Sequence, residues 1–482
     1  VGKDFPVFLH PKTHEEYALA RTERKNGTGY LGFNCDFNEH ITLEEDLIRR
    51  DLTINAMAID DKGNIYDPYH GQDDIKNKVL RHVSDAFVED PLRVLRVARF
   101  YAKFYSQGFE IAPETKALMR KMADSGELKQ LTAERVFIEL QKALETDNAE
   151  RFILALREVG ALKEVLPEID KLFGVPGPKK WHPEIDSGIH TCMTLQCVSK
   201  QTTDPVTRFA MLCHDLGKGE TPTILWPHHR IHNELGLKPL QCLCQRLRVP
   251  TEYEQLAKIV VRYHSVMHHL YRDGATGIVD LFNRIDAWRR PERVKPFALC
   301  CKCDFTGRKG FETRPFPRYD YFLAIFALCQ TVKAKEFVDL GFTGKDISEQ
   351  MNLKRIALVT DYLKTIPEDE LNDKSNEMPA SIKEESSNYQ RKPQNEATHQ
   401  KGFFKTKIEN LENKEEVAKD VGVGAIVFHY LSGGRIKDIN FIMEDARMRV
   451  EGITGITAAT INLVFEPEWD KDMMSEEAKL EL

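Results

Sequence analysis

The chain has 482 residues, 41% of them hydrophobic and 30% charged, and a formal net charge of −7. That length suits about three domains, and the composition is ordinary for a soluble globular protein. No apolar run reaches the ~18 residues of a transmembrane helix, and a negative chain leaves any nucleic acid to a local basic patch.

No signal peptide opens the chain, which starts at Val1, and its 10 cysteines read as reduced cytosolic thiols. Residues 5–9 are apolar, residues 16–21 alternate enough for a strand, and residues 26–32 form a glycine-rich turn. Arg49, Arg50 and Asp51 then stand just ahead of Leu52, Ile54, Ala56 and Met57. The alternation favours a strand, a helix opening at Leu52 fits too, and periodicity does not arbitrate. An arginine pair held between a charged face and an apolar core suits polyphosphate, because the guanidinium fork matches phosphate oxygens. A solvated Glu/Arg face with local ion pairs is the plain alternative. Residues 65–69 end in the turn chemistry of Asp67-Pro68.

From about residue 88 the chain reads as helical. Asp90 followed by Pro91 is a helix start, with Asp as cap and Pro at the first helical position. Arg93, Arg96 and Arg99 recur every third residue among Leu92, Val94, Leu95, Val97 and Ala98. Arginines on so apolar a helix meet either buried carboxylates or a ligand. Asp90 and Arg93, one turn apart, offer an acceptor and donors to a base edge. Further helices start at Pro113 and at Thr132.

Histidines and aspartates gather between residues 182 and 310. His190 comes first, and His214-Asp215 closes an apolar stretch just before Leu216-Gly217-Lys218. His228, His229 and His232 follow, then His264, His268 and His269, then Asp304. Imidazole and carboxylate ligands on separate helices can enclose a divalent cation. A single His-Asp pair is usually structural, but the order His…His-Asp…Asp is the HD-superfamily pattern. Cys300-x-x-Cys303 has no second such pair, so it reads as ordinary thiols on an apolar helix rather than as a zinc site.

Three stretches resemble, in order, the motifs of the class II tRNA nucleotidyltransferases, the CCA-adding enzymes. They are Arg49-Arg50-Asp51-Leu52-Thr53-Ile54-Asn55-Ala56, then Asp67-Pro68-Tyr69-x-Gly71-x-x-Asp74, then Glu89-Asp90-x-x-Arg93. The similarity runs from residue 1 to about 366, and with the His/Asp cluster it is to the bacterial multifunctional form that carries an HD phosphohydrolase domain. The resemblance implies an α+β fold, a small and incomplete nucleotidyltransferase head with a mixed sheet followed by a large all-α region. The head takes residues 1–87, a helical neck for tRNA and base recognition 88–165, and the HD body 166–366. Residues 367–400 lack apolar spacing and read as a disordered linker. Residues 401–482 are an appended segment without assigned function, and about 401–455 of it resembles a fragment of arginyl-tRNA synthetase without its ATP signatures.

The same resemblance implies addition or repair of the 3′-terminal CCA on the tRNA acceptor end, from CTP and ATP and without a template. Arg50, Arg96 and Arg99 would hold the triphosphate, Asp90 and Arg93 would pair with the base edge, and Glu16 would be a catalytic acid of the Mg2+ site. His190, His214, Asp215 and Asp304 would ligate Mg2+, Mn2+ or Ni2+ in the HD site, with His214 and Asp215 its catalytic pair. That site would hydrolyse 2′,3′-cyclic or 2′-phosphates, and His229, His232, His264 and His268 would contact a second metal or the phosphate. A cytoplasmic monomer or homodimer is expected, away from membranes. The family's Gly-Gly-x-x-Arg-Asp turn, with an Asp-x-Asp strand after it, does not occur in the chain. Roughly forty residues are therefore expected upstream of Val1, and nucleotidyl transfer is expected to be impaired in the chain as written. A poly(A) polymerase, a phosphohydrolase alone and a non-catalytic tRNA-binding relic stay open as alternatives.

Overall fold

The computed structural model of the protein describes residues 7–13, 16–18, 22–25, 33–36, 40–179 and 182–371, all within one compact unit. The glycine-rich turn at 26–32 lies outside the described residues, as do all of 401–482 and residues 372–400 of the stretch 367–400 expected to be a disordered linker, whose front is instead helical at Glu368–Leu371.

The front of the chain is short strand pairs. β1 (Val7–Leu9) runs antiparallel to β2 (Glu16–Ala18), and β3 (Thr22–Lys25) to β4 (Phe33–Asp36). α1 (Leu43–Ile48) opens on a capping box in which Thr42 Oγ1 accepts the Glu45 N–H and the Glu45 carboxylate accepts the Thr42 N–H. The stretch after it is neither of the elements its pattern allowed. Leu52 makes a single bridge to His82, and Thr53–Asn55 is one 3-10 turn. The cause is local: the Asp51 carboxylate accepts from both the Leu52 N–H and Asn55 Nδ2, which winds the chain tightly over five residues.

β5 (Ala58–Ile59) and β6 (Ile65–Tyr66) form a hairpin ahead of α2 (Gly71–Asn77). Both carboxylate oxygens of Asp67 cap α2, taking the N–H groups of Gly71 and Gln72 at 2.7 and 2.8 Å. A Cβ at Gly71 would stand 2.3 Å from the Thr53 carbonyl oxygen, so glycine is required for α2 to touch the 3-10 turn. β7 (Val79–Leu80) pairs in parallel with β8 (Glu110–Ile111), and α3 (Leu92–Phe104) lies between them in sequence. The start expected at Asp90-Pro91 is shifted by one residue: Pro91 is the N-cap and α3 begins at Leu92, whose N–H Asp90 Oδ1 accepts at 3.1 Å.

The remainder is helical. α4 (Pro113–Asp124), α5 (Ala133–Leu144), α6 (Ala149–Glu158), α7 (Leu162–Val165) and α8 (Pro167–Asp170) come first. Thr132 precedes α5 without a side-chain cap bond. α9 (Ser187–Ser199), α10 (Pro205–Cys213), α11 (His232–Leu235), α12 (Leu237–Leu247) and α13 (Thr251–Tyr263) follow. α14 (Gly274–Arg284), α15 (Val294–Thr306), α16 (Arg318–Gln330), α17 (Ala334–Val338), α18 (Gly344–Leu363) and α19 (Glu368–Leu371) complete it. Short strands ahead of a long helical body make the fold α+β.

α10 is the centre of that body and packs on α5, α9, α13 and α15. Phe137, Phe209 and Tyr253 meet edge-on where α5, α10 and α13 converge. Each such side chain contributes ~2–3 kcal/mol by leaving water. α9 and α15 flank α10, and this brings the far-apart His190, His214 and Asp304 together.

Candidate functional sites

The head arginines form one network with the 3-10 turn. Arg50 NH1 donates to the Asn55 carbonyl at 3.1 Å, and its other nitrogen stands 3.5 Å from Asp46. Arg96 Nε donates to Asp51 Oδ2 at 2.7 Å. Burial pushes the Asp51 carboxyl up, but the Arg96 guanidinium and the Asn55 amide outweigh it and hold that carboxyl below its usual value. Arg93 is buried and spans two carbonyls, Ala86 O at 2.5 Å and Arg49 O at 2.6 Å. Arg99 pairs with the buried Glu139 of α5 at 2.5 Å and lies over the Phe100 ring. Asp90 Oδ2 accepts from Arg135 NH2 at 2.7 Å. In this structure Arg96 and Arg99 meet buried carboxylates of the protein, and Arg93 meets carbonyls. The backbone of Glu16 pairs with Leu9 in β1–β2, while its side chain lies outside the described part of the structure.

The His/Asp cluster is brought together as the sequence leads one to expect. His190 comes from α9, His214 and Asp215 from the C-terminal end of α10, and Asp304 from α15. His190 Nε2 stands 3.0 Å from Asp304 Oδ1 and 3.8 Å from Asp215 Oδ2. His214 Nε2 stands 3.1 Å from Asp215 Oδ2 and 3.8 Å from Asp304 Oδ1. His232 and His264 form a second group on the other carboxylate oxygen, with Nε2 atoms 3.5 and 3.6 Å from Asp215 Oδ1.

The backbone fixes which nitrogen faces inward. His214, His232 and His264 each turn Nδ1 to a carbonyl one helical turn back, those of Met211, His229 and Val260, at 2.7–2.9 Å. An N–H donated there leaves the Nε2 lone pair pointing into the cluster, which is the tautomer a metal ligand needs. Burial carries His232 down to about 4, and the same cause lowers His264 to about 3, so both rings are neutral near pH 7.

The donor set fits a cation. Neither Asp215 Oδ1 nor His214 Nε2 has a directed hydrogen bond, although both are buried. Buried polar groups left in that state are costly and call for a partner. Lys218 Nζ crowds Asp215 Oδ2 at 2.6 Å and Arg308 NH2 stands 3.3 Å from Asp304 Oδ2. Burial alone would raise both carboxyls, but His214 and Lys218 beside Asp215, and Arg308 beside Asp304, hold them well below the usual range. A cavity of about 310 Å³ opens over the cluster, lined by Lys218, His232, His264, His268, Asp304 and Arg308 among others.

His268 Nε2 stands 2.7 Å from Asp304 Oδ2 and joins the cluster. His229 lines the cavity but turns both nitrogens elsewhere, to Thr221 at 2.6 Å and to the Pro176 carbonyl at 2.8 Å. The sequence reading assigned nothing to Lys218, Arg308, His182 or Glu184. The spacing of Lys218 three residues after Asp215, and of Arg308 four after Asp304, is the signal that was there to use. Glu184 sits in an irregular segment, and no pattern marked it.

Residues 7–81 match the family described as "Poly A polymerase head domain". Residues 108–173 match the one described as "Probable RNA and SrmB- binding site of polymerase A". The multifunctional CCA protein of Vibrio parahaemolyticus is 54% identical over 359 residues, covering 74% of this chain and 88% of that relative. That of Pseudoalteromonas atlantica is 53% identical over 356 residues, with the same coverage of 74% and 88%. The crystal structure of the Bacillus stearothermophilus CCA-adding enzyme in complex with CTP has the same fold, with a TM-score of 0.50 and 22% identity over 75% of this chain and 79% of that one. With over half of the aligned residues identical across most of its relatives' length, the chain belongs to the family of multifunctional CCA proteins.

Proposed function

We propose that this protein adds or repairs the 3′-terminal CCA of tRNA from CTP and ATP without a template, and that it carries a metal-dependent HD phosphohydrolase. The identity to multifunctional CCA proteins supports the transferase. The observation that carries the phosphohydrolase is the convergence of His190, His214, Asp215 and Asp304 in one buried cluster, where Asp215 Oδ1 and His214 Nε2 lack a directed hydrogen bond. Residues 1–87 serve as head, 88–165 as neck and 166–366 as HD body, in the cytoplasm.

In the transferase, the Asp90 carboxylate and the Arg93 guanidinium pair with the base edge of CTP or ATP. That requires Asp90 to exchange Arg135, and Arg93 its carbonyl partners, for the base. Arg50, Arg96 and Arg99 supply positive charge to the triphosphate, and Glu16 is an acid of the Mg2+ site.

In the HD site, His190, His214, Asp215 and Asp304 would hold Mg2+, Mn2+ or Ni2+, and Asp215 with His232 and His264 would hold a second cation. A bound cation supplies water of lowered pKa and neutralises phosphate charge. Lys218 and Arg308 bind and orient the phosphate oxygens of a 2′,3′-cyclic or 2′-phosphate at an RNA end, next to His268.

Two assays test this. With a Gly-Gly/Asp-x-Asp segment supplied upstream, labelled CTP and ATP should enter tRNA lacking its CCA, in the order C, C, A, and the 482 residues as written should incorporate little; runs of A without C would point to a poly(A) polymerase. Divalent-dependent hydrolysis of a 2′,3′-cyclic nucleotide should vanish in His214→Ala and Asp215→Ala, and its survival would place that activity elsewhere.

A further inference from the structure

The thiols of α15 are not paired along the helix. Cys300 Sγ faces the Thr207 carbonyl at 3.6 Å, while Cys303 and Cys197 of α9 share a partner. One amide nitrogen, Gln201 Nε2, lies 3.4 Å from Cys197 Sγ and 3.2 Å from Cys303 Sγ. The Thr306 hydroxyl lies 3.3 Å from Cys197 Sγ on another side. Cys303 is buried, but Cys197 is partly exposed, and both Gln201 and Lys200 beside it face solvent. The pair therefore has one partly exposed cysteine and one buried cysteine.

We propose that Cys197 and Cys303 form a redox modification site, a thiol pair that closes reversibly to a disulfide joining α9 to α15. Cys197, the member of the pair nearer solvent, is the attacking thiolate, with the Gln201 amide and the Thr306 hydroxyl placed beside its sulfur, and the buried Cys303 is the resolving thiol. With hydrogen peroxide as oxidant, the Cys197 sulfur takes the near oxygen to become the sulfenic acid, and the far oxygen leaves as hydroxide. Cys303 then displaces that hydroxyl, which departs as water with the Cys303 proton, and the S–S bond forms. A dithiol returns both sulfurs to thiols.

The placement gives the pair a consequence. Cys197 lies two turns along α9 from His190, and Cys303 immediately precedes Asp304. Closure ties together the two helices that bring His190 and Asp304 within 3.0 Å.

The test is peptide mapping of the full-length chain after hydrogen peroxide, without reductant, then again after dithiothreitol. The expected product is one cross-linked peptide pair, Cys197 with Cys303, that dithiothreitol separates. In reduced protein near pH 7, iodoacetamide should label Cys197 about tenfold faster than Cys192. Cys197→Ser should leave Cys303 reduced after peroxide. Sulfinic acid at Cys197 with Cys303 still free would overturn the proposal. So would a dominant disulfide between other cysteines, or labelling of Cys197 no faster than Cys192.

Discussion

Asp74 Oδ2 accepts a hydrogen bond from the Thr53 hydroxyl at 2.7 Å, and both side chains are buried. The same carboxylate takes Arg81 Nε at 3.2 Å, and Arg81 returns its carbonyl to the Thr53 N–H at 2.9 Å. Two motifs of the head are therefore one packed unit, and the arginine-bearing turn is held from below. Asp74→Ala would leave the Thr53 hydroxyl without its acceptor and Arg81 without one of its carboxylates. The expected local cost is ~1–3 kcal/mol. It should appear as a ~5- to 150-fold faster exchange of the Thr53 amide hydrogen, with the helical body unaffected. Unchanged protection would mean that the turn holds itself.

Arg93 offers a sharper test, because its contacts in the protein compete with its proposed role at the base. Its guanidinium holds Ala86 O and Arg49 O. A bidentate contact to a base edge discriminates by ~1–3 kcal/mol. In a protein completed by the upstream Gly-Gly/Asp-x-Asp segment, Arg93→Ala should thus relax the choice between CTP and ATP by about ten- to a hundredfold, with tRNA affinity nearly unchanged. If Arg93 only braces the 86–93 segment, the variant will lose heat stability and keep its selectivity.

The convergence of His190, His214, Asp215 and Asp304 was legible through the order His…His-Asp…Asp and the HD-superfamily resemblance that it carries. Helix starts near Asp90, Pro113 and Thr132 were legible because start signals such as a proline in the first turn are local, although Thr132 makes no side-chain cap bond. The partners of the arginines were not, since Asp51 lies 45 residues before Arg96 and Glu139 lies 40 after Arg99. The conformation of residues 51–56 was not legible either. Its alternating pattern came from burying Leu52 and Ala56, while Asp51 and Asn55 set the backbone into a 3-10 turn. Glu184 and His182 escaped because an irregular segment carries no periodicity to read.

Arg208 shows how a buried charge can organise the body. Its side chain is fully buried and donates to four carbonyls, Thr202, Leu144, Thr146 and Ser199, at 2.5–2.8 Å. Leu144 and Ser199 end α5 and α9, so the guanidinium satisfies carbonyls that those helices leave unpaired and sits at the negative ends of their dipoles. Arg208→Met would keep the volume and strand those oxygens, at ~3–5 kcal/mol. Arg208→Lys should recover part of this, as a point charge without the fork. Thermal unfolding midpoints should therefore fall in the order wild type, Lys, Met. A Met variant within about 1 °C of wild type would show that water replaces the guanidinium.

Glu184 is the residue through which the cluster can be weakened without touching a ligand. Its Oε1 lies 2.7 Å from His190 Nδ1 and 3.1 Å from His182 Nδ1, and Oε2 accepts the Lys309 N–H at 3.3 Å. A carboxylate on the outer nitrogen of a ligating histidine orients the ring and raises the basicity of the inner nitrogen. Glu184→Gln keeps the shape and removes the charge, so Mn2+ affinity measured by calorimetry should fall ~10- to 100-fold. The thermal midpoint of the metal-free protein should move little, because the Gln side chain still accepts from Lys309. The opposite pattern, a lower midpoint with unaltered affinity, would make Glu184 a brace for its segment. His190 would then owe its orientation to α9 alone.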